Sequence, residues 1–126
     1  MNLSSLFHRT RPVISLFHST KSQPSVSALK LLKDVELKRE EARKPITLEV
    51  TEQAPTSTQM QNIIEIIGES RIGDLVPGAI GKSDAIKIAD KDPDQVVRPI
   101  VVDWGNAHVV IGGDGSQIKK LLDRMD

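Results

Sequence analysis

Two short apolar segments, each followed by a stretch of helical periodicity, constrain the fold of this chain more than any other feature. Val13–Phe17 is a β-branched apolar run and residues 46–50 alternate apolar with polar side chains, so both predict strands. Apolar residues at helical spacing predict helices over about 24–44 and 56–67. Because a helix joins the two strands, we expect them to pair in parallel with a right-handed crossover.

The last third of the chain predicts a hairpin followed by a helix. Residues 99–103 and 107–111 are apolar, β-branched runs, and Gly105-Asn106 lies between them as a turn signal. Residues 118–125 carry an amphipathic helical pattern. The fold class predicted is therefore α/β, a four-stranded mixed sheet with the element order β-α-β-α-β-β-α and helices on both faces.

The segment between these two halves, residues 69–97, has no regular pattern. It contains breakers at Gly73, Pro77 and Gly78. Ser83 is a candidate cap for one short helix that ends at Asp92-Pro93. We expect residues 69–97 to form an irregular insert in the domain.

Composition excludes several functional classes. The 126 residues carry 17 basic and 17 acidic side chains, three aromatic residues and no cysteine. The even charge balance and the scarcity of aromatic rings argue against a nucleic-acid-binding protein. Without cysteine the chain has no disulfide, no thiolate metal site and no thiol nucleophile. The histidines lack metal-ligand spacing, and no apolar run is long enough to span a membrane.

Basic charge is concentrated at the start of the chain. Residues 1–33 contain five basic residues and no acidic one. Residues 1–12 combine arginine and serine with apolar side chains, which is the composition of a mitochondrial import segment, although a frayed basic terminus can share it. We expect residues 1–12 to be a short targeting segment and residues 13–126 to be one folded domain.

The turn after the first strand gathers polar side chains at a helix N-terminus: His18, Ser19, Thr20, Lys21 and Ser22. Free N–H groups and the helix dipole favour an anion there. A hydroxyl-capped helix beside a solvated lysine explains the same residues, so both interpretations stay open. Catalysis by Ser22 with His18 as its base is not expected, because no G-x-S-x-G motif surrounds the serine.

The dipeptide Arg98-Pro99 opens the third strand. Pro99 is either cis, beside the first turn, or an ordinary trans proline at the start of a strand. Arg98 is either a ligand-binding residue or a surface arginine whose stem covers apolar neighbours.

Several motifs, in this order along the chain, resemble the glutaredoxin-linked arsenate reductases. They are L-F-H-S-T-K-S-Q-P-S at residues 16–25, L-E-V at 48–50, P-T-S at 55–57 and R-P-I-V-V at 98–102. S-L-F at 15–17 and V-D-W at 102–104 look closer still to a fungal family of small mitochondrial redox proteins. The resemblance covers residues 13–125 and implies a thioredoxin-like fold with a cis-proline at Pro99.

The resemblance also assigns candidate site residues. Ser22 stands where the reductases have their catalytic cysteine, and His18 matches the histidine of their turn. Arg98 matches one oxyanion-binding arginine, and Arg71 is the candidate for a second. A third arginine is replaced by Gly112 and Gly113. A serine hydroxyl does not cycle through a disulfide or a sulfenic acid, so thiol redox by this chain alone is not expected.

Two functions are considered: the resemblance implies the first, and the absence of cysteine favours the second. In the first, the protein reduces small oxidised or oxyanionic molecules with a thiol that glutathione or a partner supplies. His18, Ser22, Gln23, Arg98 and Pro99 would bind that ligand, and Lys21 would add positive charge. In the second, the protein is a non-catalytic module that binds glutathione or a protein partner beside Pro99. Neither function requires a metal or a resident cofactor.

Overall fold

The computed structural model describes residues 11–125, so most of the predicted targeting segment lies outside the described residues. The strands are β1 (Val13–Phe17), β2 (Thr47–Thr51), β3 (Ile100–Asp103) and β4 (His108–Ile111). The α-helices are α1 (Gln23–Glu41), α2 (Ser57–Ile67), α3 (Ile72–Leu75), α4 (Lys82–Lys91) and α5 (Gly115–Asp123). Two 3₁₀ turns, Glu69–Arg71 and Pro93–Gln95, flank α3 and α4.

The four strands form one mixed sheet in the order β2-β1-β3-β4. β1 pairs in parallel with β2, while β3 is antiparallel to both β1 and β4. The predicted parallel pair and hairpin are therefore confirmed. Phe17 lies opposite Ile100, which makes His18 and Pro99 neighbours at one edge of the sheet. The Arg98–Pro99 peptide bond is cis.

Helices cover both faces of the sheet, as predicted. The first apolar cluster joins one face to α2, α3 and α4, and its buried members include Phe17, Met60, Ile63, Ile64, Leu75, Val76 and Ala85. The second joins the opposite face to α1 and α5, and its buried members include Ile14, Leu16, Leu32, Val101, Ile118 and Leu121. Burial of each large apolar side chain contributes about 1.5–3 kcal/mol, so the two clusters supply the main favourable contribution to folding.

Residues 69–97 contain the short helix that was predicted to end at Asp92-Pro93, but the rest of the segment is more regular than the predicted irregular insert. They contain α3, α4 and both 3₁₀ turns. Ile72 and Ala89 are buried in the first cluster, so this segment belongs to the core. Ser83 does not cap α4, because the helix begins at Lys82 after Gly81 and has no side-chain cap. Glycine and proline interrupt the apolar periodicity of this segment without preventing its burial.

Local sequence explains where the two long helices begin. At α1, the Ser22 hydroxyl accepts a hydrogen bond from the Ser25 backbone N–H. At α2, Thr56 and Gln59 form the predicted reciprocal capping box, and Gly68 follows the last helical residue. None of the helices within residues 11–125 has the length and hydropathy that crossing a membrane requires.

Candidate functional site

His18 and Ser25 form a buried hydrogen-bonded pair at the start of α1. The His18 Nδ1 atom lies 2.6 Å from Ser25 Oγ, and Ser25 Oγ also accepts from the Ser19 backbone N–H at 2.9 Å. The backbone N–H of His18 donates to the Thr51 carbonyl at 2.8 Å, which ties the end of β1 to β2. His18 is 5% exposed and Ser25 is fully buried. These contacts give the histidine a structural role in the turn.

Ser22 is the N-cap of α1, and its polar atoms have local partners. Its hydroxyl accepts from the Ser25 N–H at 3.3 Å, and its carbonyl accepts from the Val26 N–H at 3.0 Å. Pro24, within the first turn of the helix, has no N–H group. The helix N-terminus therefore offers few free donors to an anion, and the capped-turn interpretation is the one that this geometry supports. Lys21 and Gln23 are exposed beside it.

No activated nucleophile is present at this turn. A nucleophilic hydroxyl needs a general base within hydrogen-bonding distance and access to substrate. The His18 ring bonds to Ser25 instead of Ser22, and Ser25 is inaccessible. The His18 ring is therefore not placed as a general base for Ser22.

Two distant segments come close to the first turn. The Gly112 N–H donates to the Pro99 carbonyl at 2.8 Å. A Cβ atom on Gly113 would lie 2.4 Å from Pro24 Cβ and 2.8 Å from the Pro24 carbonyl oxygen, so the loop packs directly on α1. We call residues 18–24 together with Pro99 and Gly113 the first-turn surface; within it His18 and Pro99 are buried, and Lys21 and Gln23 are exposed. The absence of a side chain at Gly113 is what permits this close approach.

Arg98 is next to Pro99 in the chain, but its side chain lines a cavity away from the first turn. Its Nη2 donates to the Pro93 carbonyl at 3.3 Å, and the side chain is half-buried. It lines a cavity of about 360 Å³, the Arg98 cavity, whose wall consists of residues 52–57, Met60, Ile86, Ala89, Asp90, Pro93, Asp94 and Arg98. No residue of the first turn belongs to this wall, so the structure separates Arg98 from Ser22.

Arg71 lies in the 3₁₀ turn Glu69–Arg71, away from both the first turn and the Arg98 cavity. Its Nε atom forms an ion pair with Asp74 Oδ2 at 3.1 Å, and the side chain is half-exposed. It borders a cavity whose wall includes all of β4 and Gln117. Arg71 and Arg98 therefore line separate cavities and do not form the joint oxyanion site that the resemblance implies.

Sequence reasoning missed two partners of the first turn. Ser25 lies seven residues from His18, and only the turn of α1 brings it under the ring. The consecutive glycines 112–113 were a detectable signal, because they follow a hairpin and lack side chains where close packing is needed.

Asp114, the residue after these glycines, is the N-cap of α5. Hydrogen bonds from the Ser116 side chain and backbone hold the pKa of the Asp114 carboxylate below its usual value.

Comparison with known proteins gives a family. The family described as a protein of unknown function (DUF1687) matches residues 4–114. The chain belongs to the DUF1687 family. No curated protein matches this DUF1687 chain. Within residues 11–125 it has no group of histidine, aspartate and glutamate side chains placed to hold a metal ion.

Proposed function

We propose that the protein is a thioredoxin-like redox protein of mitochondria in which a bound small thiol, such as glutathione, supplies the electrons that reduce small molecules. The observation that carries the proposal is the meeting of the first turn, Pro99 and Gly113 at one edge of the sheet. The chain order of the elements and the sheet order β2-β1-β3-β4 support the thioredoxin-like assignment, together with the resemblance at residues 16–25 and 98–102.

The electrons must come from outside the chain, because it contains no cysteine. Two glutathione molecules each give up one proton and one electron and join through a new S–S bond. The oxidised substrate gains the two electrons and two protons. The first-turn surface would hold one glutathione beside Pro99, and Lys21, which is exposed there, would attract its carboxylates.

A second candidate is a non-catalytic module that binds glutathione or a protein partner on the same surface. The observation that favours it is the state of Ser22, whose hydroxyl serves as the helix cap and has no base beside it. In this candidate the surface keeps its shape and binds, and no reaction follows.

One experiment separates the two candidates. The purified full chain is assayed with glutathione and either arsenate or a small disulfide, and the rate is compared with a protein-free control. The same protein, labelled with ¹⁵N, is titrated with glutathione while the amide shifts of residues 18–25 are followed. Turnover above the control supports the redox protein, and shifts without turnover support the binding module. If neither is observed at millimolar glutathione, the redox protein and the glutathione-binding form of the module both fail.

The mitochondrial part of the proposal depends on residues 1–12 and has its own test. A fluorescent protein carrying residues 1–12 should enter mitochondria, and the same fusion with Arg9 and Arg11 replaced by glutamate should not, because import segments depend on basic charge. Equal distribution of both fusions would contradict this part alone.

A further inference from the structure

The Arg98 cavity carries charges of both signs around an apolar floor. The charged side chains in its wall are Glu52, Asp90, Asp94 and Arg98. The apolar ones include Pro55, Met60, Ile86 and Ala89. Its volume, about 360 Å³, is within the range of small-molecule sites. The loop after β2 and Arg98, which lies two residues before β3, both contribute to its wall, so it lies at the same sheet edge as the first turn.

These charged groups do not neutralise one another. The guanidinium of Arg98 makes one hydrogen bond, to the Pro93 carbonyl, and its Nε atom is buried without a partner. Within residues 11–125, Glu52, Asp90 and Asp94 form no side-chain hydrogen bond or ion pair. By contrast, the nearby Asp84 carboxylate accepts from the Ile80 N–H at 2.9 Å.

We propose that this cavity binds a small zwitterion of the α-amino acid type with an apolar side chain. The ligand carboxylate would accept charge-assisted hydrogen bonds from Arg98, and its ammonium group would lie among the carboxylates of Glu52, Asp90 and Asp94. The apolar side chain would contact Met60 and Ile86. A simple anion fits less well, because three carboxylates and one guanidinium give the wall a negative balance.

The test uses the full ¹⁵N-labelled chain and three probes of one shape. L-leucine carries both charges, 4-methylpentanoate lacks the ammonium group, and 3-methylbutylamine lacks the carboxylate. We expect L-leucine at millimolar concentration to shift the amides of residues 52–57 and 86–98. Each analogue should bind about ten-fold more weakly or worse, since each leaves one charged set without its partner. Equal affinity for all three, or no shift with L-leucine, would overturn the proposal.

Variants give a second, independent readout. Arg98→Gln and Asp90→Asn should each weaken L-leucine binding about ten-fold, whereas the matched exposed changes Arg124→Gln and Asp123→Asn should leave it unchanged. Asp90 is exposed on α4, so its variant is informative even if Arg98→Gln does not fold. Equal weakening by test and control variants would count against the site.

The proposal does not depend on the redox function. Glutathione is followed at residues 18–25 and L-leucine at residues 52–57 and 86–98, so the two ligands have separate readouts. Shifts with glutathione alone would leave the redox proposal standing and refute the amino acid site. Shifts with L-leucine alone would leave the amino acid site standing and refute the redox proposal.

Discussion

The first-turn surface and the Arg98 cavity lie at the same edge of the sheet, but they differ in whether their polar side chains have partners. In the first turn, His18, Ser22 and Ser25 look reactive by residue type, yet each is hydrogen-bonded within the turn. In the cavity, the charged side chains look ordinary in the sequence, yet Arg98 and Asp90 have no charged partner in the described part of the chain. Residue type alone is therefore a poor guide to which polar groups are free to bind.

The physical reason is the range of the contacts. The turn satisfies its polar atoms within a few residues, because the Ser22 hydroxyl caps the helix N-terminus and the Ser25 hydroxyl bonds to the His18 ring and the Ser19 N–H. The cavity wall comes from three separate segments: the loop after β2 with the start of α2, α4 with its following 3₁₀ turn, and Arg98. Side chains on separate segments meet only after folding, so these charged groups do not have partners a few residues away in the sequence, as the polar atoms of the turn do.

The largest effect is expected from Gly113→Ala. The new Cβ atom would overlap the Cβ, Cα and carbonyl oxygen of Pro24, which cannot move without a shift of the backbone. The variant should therefore lose about 3 kcal/mol of unfolding free energy in a urea titration. Gly115→Ala is the matched control, because nothing lies within 4 Å of a Cβ there. If Gly113→Ala were as stable as Gly115→Ala, the 112–113 loop would not pack on the first turn as described.

Ser25→Ala comes next and tests whether the turn is closed by buried hydrogen bonds. The variant leaves the His18 ring and the Ser19 N–H without their shared partner, so we expect a loss of about 2 kcal/mol by the same measurement. Ser27→Ala, at an exposed position of α1, is the control and should change stability little. Equal stability of the two variants would remove the structural role of the His18–Ser25 pair.

Ser22→Ala should lose about 1 kcal/mol, the usual contribution of an N-cap hydroxyl, while Ser22→Asp keeps an acceptor and should stay near wild type. Stability is again read from urea unfolding, and glutathione binding from the amide shifts of residues 18–25. A Ser22→Ala protein with unchanged stability but no glutathione shifts would contradict the cap assignment and make Ser22 a ligand-binding group.

The smallest effect is expected in the cavity. Asp90→Asn should change the unfolding free energy by no more than about 0.5 kcal/mol, because this exposed carboxylate has no partner among the described residues to lose. A loss of more than about 1 kcal/mol would show that Asp90 is paired in the folded protein, and the contrast between the two regions would then disappear.

Much of the fold could be predicted from local patterns. The β-branched run at 13–17 and the alternation at 46–50 predicted β1 and β2, and Thr56 with Gln59 predicted the start of α2. These signals are readable because each depends on residues only a few positions apart. In 69–97 the short helix before Asp92-Pro93 was predicted, but α3 and the burial of the segment were not: its glycines and prolines break the local period, while its burial comes from packing against α2 and the sheet.

The candidate site was predicted less well than the fold. The motifs identified the first turn and Pro99, which the antiparallel pairing of β1 with β3 brings together. They did not predict that Arg98 lines a separate cavity or that Gly113 packs on Pro24. Those facts depend on contacts between segments that no local spacing encodes.

By itself, the sequence determined that this protein has two strand–helix units, a hairpin, capped helices and no thiol, because each follows from residue type or short-range spacing. Only the tertiary structure decided that His18 bonds to Ser25, that residues 69–97 are part of the core, and that four charged side chains meet around one cavity without an ion pair among residues 11–125. The physical reason is that burial and charge pairing are properties of segments brought together from distant parts of the chain.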